Sequence, residues 1–109
     1  MYARNAHFRL KSLDLAVEFA RTLGAEVVPL LRQQPGFKGE ITLSNPRSLE
    51  RISISLWDNK KNAEAYNANV SPRVLKMLAK VIDGGATIQT FDDLALNLNG
   101  DLVSEGQSS

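Results

Sequence analysis

The segment from Gln34 to Trp57 is the part of the chain that most constrains its fold. It opens with Gln34-Pro35-Gly36-Phe37, and a proline followed by a glycine ends a helix and turns the backbone. Two runs of alternating apolar and polar residues follow, Phe37 to Leu43 and Arg51 to Trp57, on either side of a turn at Asn45-Pro46-Arg47. Alternation with a period of two is typical of β-strands. The segment therefore predicts a β-hairpin.

The chain before this hairpin predicts a strand and a long helix. Tyr2 to Leu10 alternates in the manner of a strand, and an apolar helical stripe follows at three- and four-residue steps. Pro29 lies inside the stripe, where it removes a backbone donor and clashes with the preceding turn. We therefore expect one bent helix with a kink between Gly24 and Pro29. The predicted stripe consists of Leu13, Ala16, Val17, Ala20, Leu23, Val27, Leu30 and Leu31.

The chain after Trp57 predicts two further helices and a strand. Asp58 or Asn59 can cap a short helix over Lys60 to Asn69, and Ser71-Pro72 begins another that Gly84-Gly85 ends. Thr87 to Leu94 is then the last strand of a β-α-β-β-α-β order. This order predicts a ferredoxin-like α+β fold, in which a four-stranded antiparallel sheet carries its helices on one face.

Length, charge and residue content limit the classes of function. A chain of 109 residues has room for one domain, which we place at residues 1–94, with a partly flexible extension at 95–109 that contains a turn signal at Asn99-Gly100. Thirteen basic against twelve acidic residues, without a long basic cluster, predict neither a nucleic-acid nor a membrane partner. The chain has no cysteine, no signal-peptide pattern and no membrane-spanning apolar run, so we expect a cytoplasmic protein.

With this order of elements, the chain resembles the antibiotic biosynthesis monooxygenase family of the dimeric α+β barrel superfamily. The resemblance covers roughly residues 2–94 and rests on four short segments, none of which is a catalytic signature. These segments are Gln34-Pro35-Gly36-Phe37, Leu56-Trp57, Ala63-Glu64-Ala65-Tyr66 and Ser71-Pro72.

The resemblance implies a homodimer whose two sheets pack face to face, with a pocket in each subunit between sheet and helices. Apolar residues such as Ile52 and Ile54 agree with this, because a sheet that exposed them to water would be unusual. If the apolar side of each strand forms the barrel, the opposite side lines the pocket with Asn5, His7, Ser53, Ser55 and Trp57. The reverse assignment, with the apolar side under the helices, stays open.

Seven side chains are candidates for the site. As catalytic residues we consider Asn5 as a hydrogen-bond donor, His7 as a base and Trp57 at the rim of the pocket, where it would sense a bound ligand. Each also has a structural interpretation, as a solvated amide, a hydrogen-bonded imidazole and a core aromatic residue. The predicted substrate-binding residues are Ser53, Ser55, Tyr66 and Asn67.

The family contains two chemistries, and the sequence favours one of them. Some members oxygenate electron-rich phenols or quinols without a cofactor, and others degrade haem with an axial histidine on the short helix. That helix has no histidine here, and Asn67 falls about where the histidine would lie, so haem degradation is disfavoured. The sequence also lacks a metal-spaced cluster, so we expect no metal and no cofactor. The resemblance implies a small aromatic or hydrophobic ligand.

A non-catalytic dimeric module that binds a small ligand, or merely assembles, is the alternative to an enzyme, because fold does not determine function. A polar group with a displaced pKa inside an enclosed pocket would favour the enzyme. A collapsed space between Trp57 and the helices would favour the module.

Overall fold

The computed structural model describes residues 1–99 and 101–103. Its main sheet has four strands, and a fifth and a sixth strand form a separate hairpin. The strands are β1 (Tyr2–Arg9), β2 (Phe37–Ser44), β3 (Glu50–Trp57), β4 (Thr87–Phe91), β5 (Leu96–Leu98) and β6 (Asp101–Val103). The α-helices are α1 (Ala16–Thr22), α2 (Val28–Arg32), α3 (Lys60–Asn69) and α4 (Ser71–Leu78). In the described part of the chain, no helix has the length and apolar character needed to cross a membrane.

The main sheet has the strand order β2-β3-β1-β4, with every neighbouring pair antiparallel. The helices cover one face of it, which confirms the predicted ferredoxin-like α+β fold. Asn59 caps α3 as predicted, because its side chain accepts a hydrogen bond from the backbone N–H of Asn62 at 2.9 Å. Pro72 lies in the first turn of α4, also as predicted.

Between β1 and β2 the chain is helical from residue 13 to residue 32. A short 3-10 helix (Leu13–Leu15) leads into α1, and a π-helical turn (Leu23–Val27) joins α1 to α2. Helical structure therefore continues past Pro29, as the sequence predicted. The π-helical turn lies where we expected the kink, and such turns are a recognised form of helix irregularity.

The π-helical turn also explains an error in the predicted stripe. An α-helix makes two turns in about seven residues, and counting back from Val27 with that spacing gives Ala20. The structure instead buries Phe19, which is 1 % exposed and eight residues before Val27, because the turn holds one extra residue. Ala20 is exposed, and Val17 at 80 % is the most exposed large apolar residue of the helix. The prediction that both face the core is wrong.

The C-terminal hairpin follows the main sheet. Leu96 pairs with Val103 and Leu98 with Asp101, so β5 and β6 are antiparallel. The predicted turn at Asn99-Gly100 includes residue 100, which lies outside the described residues. The predicted domain boundary at residue 94 stays a prediction. The predicted fraying of residues 104–109 lies outside the described residues.

Gly36 explains why the turn before β2 requires glycine. Its φ angle is +79°, and its carbonyl accepts a hydrogen bond from the backbone N–H of Asp58 at 2.8 Å. A Cβ atom at Gly36 would clash with Oδ1 of Asp58 and would lie 2.5 Å from Nδ2 of Asn62. Those two side chains are hydrogen-bonded to each other at 2.8 Å, so the turn packs against the start of α3.

We predict that Gly36→Ala destabilises the protein more than Gly84→Ala does. Gly84 has nearly the same φ angle, +80°, but a Cβ there would meet nothing within 4 Å. Gly84→Ala should therefore cost only the backbone strain, about 1 kcal/mol in free energy of unfolding. Gly36→Ala should cost about 2–3 kcal/mol, because it also breaks the hydrogen bond between Asp58 and Asn62. Urea unfolding of both variants measures the difference, and equal losses would contradict the packing role of Gly36.

Candidate functional site

The polar side of β3 lies under the helices. Ser53, Ser55 and Trp57 are buried, whereas Ile52 and Ile54, on the opposite side of the strand, are half-buried on the open face of the sheet. Hydroxyl groups under a helical layer must be satisfied, and these are. Ser53 donates to Oε2 of Glu40 at 2.7 Å, and the Ser55 Oγ accepts from Nε1 of Trp57 at 2.9 Å.

Arg4 on β1 is a charged group in this buried layer. It is 6 % exposed and lies on the same side of β1 as Ala6 and Phe8. Its Nε and Nη2 donate to Oδ1 of Asn67 at 3.2 and 2.9 Å, and Nη2 also donates to Oγ of Ser71 at 2.9 Å. These bonds connect β1 to α3 and α4. Ser71 is therefore an acceptor for Arg4, and it makes no hydrogen bond as a helix cap.

A stack of aromatic rings continues from Arg4 to the edge of the sheet. The Arg4 guanidinium lies over the Tyr66 ring, with 5.1 Å between its Cζ and the ring centroid, a cation–π geometry. The Tyr66 and Trp57 ring centroids are 5.2 Å apart, and Trp57 meets Phe37 edge-on at 5.6 Å. The stack thus links the first three strands to α3 through side chains alone.

Burial displaces the pKa of both members of the cation–π pair. It lowers the pKa of the Arg4 guanidinium, and the electrostatic effect of Tyr66 opposes this. It raises the pKa of the Tyr66 hydroxyl, and the positive charge of Arg4 opposes that rise. Tyr66 is therefore a neutral phenol near neutral pH, able to donate a hydrogen bond. In the described part of the chain its hydroxyl has no hydrogen-bond partner.

Two spaces meet at Arg4. The first is an open cleft of about 320 Å³ between α3, β1 and β4, within the size range of small-ligand sites. The second, the inner space, lies between the sheet and the layer formed by the π-helical turn and α4, and holds only about 20 Å³, room for one water-sized molecule. The cleft is lined by Tyr2, Arg4, Lys60, Ala63, Glu64, Asn67, Ile88, Thr90 and Asp92.

Four predicted site residues lie at these two spaces. Ser53, Ser55 and Tyr66 line the inner space, and Asn67 lines the cleft. Trp57 lines neither and is 0 % exposed, so its predicted position at the rim of a pocket is wrong. Its indole N–H is bonded to Ser55 and its ring is enclosed by neighbouring aromatic rings, which leaves it no face toward a ligand.

The predicted position of Asn5 and His7 under the helices is also wrong. The register pairs Asn5 with Ile54 and His7 with Ile52, and directly paired residues share a face, so both lie on the open face of the sheet. The half of β1 that faces the helices is instead Tyr2, Arg4, Ala6 and Phe8. His7 is exposed, and its Nε2 lies 2.6 Å from Oε2 of Glu50. The catalytic roles of Asn5, His7 and Trp57 stay predictions.

Arg4 is the site residue that sequence reasoning missed. The signal was present, because Arg4 alternates with Tyr2, Ala6 and Phe8, and a charged residue on the apolar side of a strand is unusual. As for metal binding, residues 1–99 and 101–103 contain no group of three histidine, aspartate or glutamate side chains placed to hold an ion.

Solved structures share this fold at low sequence identity. A monooxygenase from the ActVA-Orf6 gene of Streptomyces coelicolor, in complex with nanaomycin D, is 12% identical with a TM-score of 0.73, over 89% of this chain and 90% of that one. SnoaB, a cofactor-independent oxygenase from Streptomyces nogalater, is 14% identical with a TM-score of 0.66, over 85% and 92%.

A third structure, an antibiotic biosynthesis monooxygenase, is 16% identical with a TM-score of 0.63, over 86% of this chain and 99% of that one. No family model and no curated protein matches the sequence. The resemblance to antibiotic biosynthesis monooxygenases is therefore confirmed at the level of the fold.

We predict that Ser55 and Trp57 stabilise the protein as a coupled pair. Ser55→Ala leaves a buried indole N–H without an acceptor, whereas in Trp57→Phe that donor is already absent. A double-mutant cycle in urea should give a coupling energy of about 1 kcal/mol. As a control, Ser44→Ala, at the exposed end of β2, should be additive with Trp57→Phe. Additive losses for Ser55 and Trp57 would contradict the hydrogen bond.

Proposed function

We propose that this protein is a cofactor-independent monooxygenase that oxidises a small phenolic substrate bound in the cleft. The observation that carries the proposal is the meeting, at Arg4, of an open cleft of about 320 Å³ with an inner space of about 20 Å³ that Tyr66 also lines. The cleft has the volume for an aromatic molecule, and the inner space has the volume for one much smaller molecule such as dioxygen. The fold shared with two oxygenases supports this proposal.

The proposed reaction needs no electron donor besides the substrate. The phenol loses its proton to solvent, and the resulting phenolate gives an electron to dioxygen, which becomes superoxide. The two radicals then join at a ring carbon, and the peroxide that forms takes up a proton. The O–O bond breaks as the hydrogen on that carbon leaves, so water is lost and a second carbonyl group remains on the ring. In sum, a phenol and O₂ give a quinone and H₂O. The two hydrogens of the water come from the ring C–H and the phenol O–H. Both oxygen atoms of O₂ are reduced, and the ring supplies all four electrons.

The chain's own residues supply position, charge and hydrogen bonds. Tyr66 can donate its phenolic proton to a reduced oxygen species in the inner space, because it is neutral near neutral pH and has no partner in the described chain. Ser53 and Ser55 give that space a polar wall. Trp57 fixes the Tyr66 ring by packing against it at 5.2 Å, which makes it a positioning residue.

A ligand-binding module without catalysis is the second candidate. The small volume of the inner space favours it, because no aromatic molecule fits between the sheet and the helices without a movement of the chain. This candidate shares the cleft and the ligand class with the enzyme. It differs in predicting that bound phenols are released unchanged.

We predict that the purified protein consumes oxygen with 1-naphthol or an anthrone in the presence of a metal chelator and without added flavin. The methyl ether of the same naphthol should give no uptake, because it cannot form the phenolate. With ¹⁸O₂, one labelled atom should enter the product. Tyr66→Phe should lower the rate by about 10²-fold, the loss typical of one hydrogen-bond donor to a developing oxyanion. Saturable naphthol binding without oxygen consumption would favour the binding module.

We also propose that the open face of the sheet joins two copies of the chain. Ile41, Leu43 and Phe91 on this face are 39 %, 48 % and 44 % exposed, and they flank the half-buried Ile52, Ile54 and Leu56. A contiguous apolar surface of this kind is typical of an interface. The Oδ1 atom of Asn5, in the middle of the same face, is buried and lacks a hydrogen-bond partner in the described chain. A second copy would supply both apolar cover and polar partners.

Ile54→Asp should convert the dimer to a monomer, because a carboxylate at the centre of the apolar face cannot be buried without a partner. Sedimentation at micromolar concentration should give twice the chain mass for the unmodified protein and a single chain mass for the variant. Val17→Asp is the matched control, since Val17 is an equally apolar residue on the helical side and is 80 % exposed. A monomeric unmodified protein, or an equal effect of both changes, would exclude this interface.

A further inference from the structure

Among the described residues, Arg4 has no ion-pair partner for its charge. Burying a guanidinium is unfavourable unless hydrogen bonds and an opposite charge compensate for the lost water. Arg4 is 6 % exposed, and both of its hydrogen-bond partners, Asn67 and Ser71, are neutral. No carboxylate of residues 1–99 forms an ion pair with it, although Glu64 and Asp92 line the same cleft.

The donors of Arg4 are only partly used. A guanidinium has five N–H groups in a fixed planar arrangement. Three of them, on Nε and Nη2, bond to Asn67 and Ser71. The two N–H groups of Nη1 have no acceptor among the described residues. Because α3, α4 and the Tyr66 ring hold the guanidinium from three sides, it cannot turn away to find another partner.

The cleft adds a second positive charge. Lys60, the first residue of α3, lines the same cleft as Arg4, and it makes no ion pair within the described chain. Tyr2 and Ile88 add aromatic and aliphatic surface to the lining of the same cleft. The cleft therefore combines a fixed buried cation, a flexible exposed cation and apolar surface with the carboxylates of Glu64 and Asp92, neither of which forms an ion pair with Arg4 or Lys60 in the described chain.

From this geometry we infer that the cleft is a receptor for small aromatic anions, whose carboxylate or ionised phenol oxygen accepts from Nη1 of Arg4. The inference rests on the proposed function for the identity of the reaction. What it adds is that the substrate binds as an anion. Asn67 and Ser71 are positioning residues in this scheme, because they orient the guanidinium without neutralising it. A charge-assisted bond to a preformed and desolvated cation is stronger than the same bond in water, so ligand charge should control affinity.

Binding of 2-naphthoate and of its neutral isostere 2-naphthamide tests the inference without any turnover. We expect the unmodified protein, studied by isothermal titration calorimetry at neutral pH, to bind the naphthoate at least about tenfold more tightly, the ratio given by 1.4 kcal/mol. Arg4→Met should abolish the preference, and Arg4→Lys should retain part of it as a point charge. Arg73→Met, an exposed arginine of α4 outside the cleft, is the matched control and should leave the preference unchanged.

A second variant covers the case in which Arg4→Met does not fold. Lys60→Met changes an exposed residue, so it should leave stability unchanged and reduce the preference for naphthoate several-fold. Equal affinity for naphthoate and naphthamide in the unmodified protein would overturn the inference, as would a preference that persists in folded Arg4→Met. Anion-selective binding without oxygen consumption would leave the inference standing and refute the oxygenase. Oxygen consumption with neutral and anionic phenols alike would support the oxygenase and refute the inference.

Discussion

The buried guanidinium of Arg4 is the interaction on which the arrangement of the site depends. It joins β1 to α3 through Asn67, to α4 through Ser71 and to the aromatic stack through Tyr66. It also separates the open cleft from the inner space, since both are lined by this side chain. A charge in this position costs free energy of folding unless it is compensated, and the compensation within the described chain consists of hydrogen bonds to neutral groups and the face of the Tyr66 ring.

The sequence predicted the order of the elements and most of their bounds because local rules govern them. The alternation of apolar and polar residues predicted β2 and β3, and Asn59 predicted the start of α3. The proline-glycine pair at residues 35 and 36 predicted the turn before β2. The assignment of the Ser53 side of β3 to the helices was also correct. It followed from the expectation that apolar residues on the other side would meet a second sheet.

The site itself was less predictable, because it depends on the register between strands. The apolar side of β3 faces outward, whereas the apolar side of β1 faces the helices, where Ala6 lies opposite Ser53. Alternation within one strand does not show which residues of the neighbouring strand lie on the same face of the sheet. Asn5 and His7 were therefore grouped with the serines, and Arg4 was overlooked. The burial of Trp57 depends in the same way on contacts with Phe37 and Tyr66, which are distant in sequence.

The π-helical turn at Leu23–Val27 gives the longest helical region a tolerance to changes in its length. Phe19 and Val27 both face the core although eight residues separate them, one more than two turns of α-helix need. Loss of one residue within the turn would leave a regular α-helix with both side chains still on the same side. α1 contains no extra residue of this kind. A deletion inside it would rotate every earlier residue of the helix by about 100° relative to the core. The turn is thus a place where homologous chains can differ by one residue while keeping the same core.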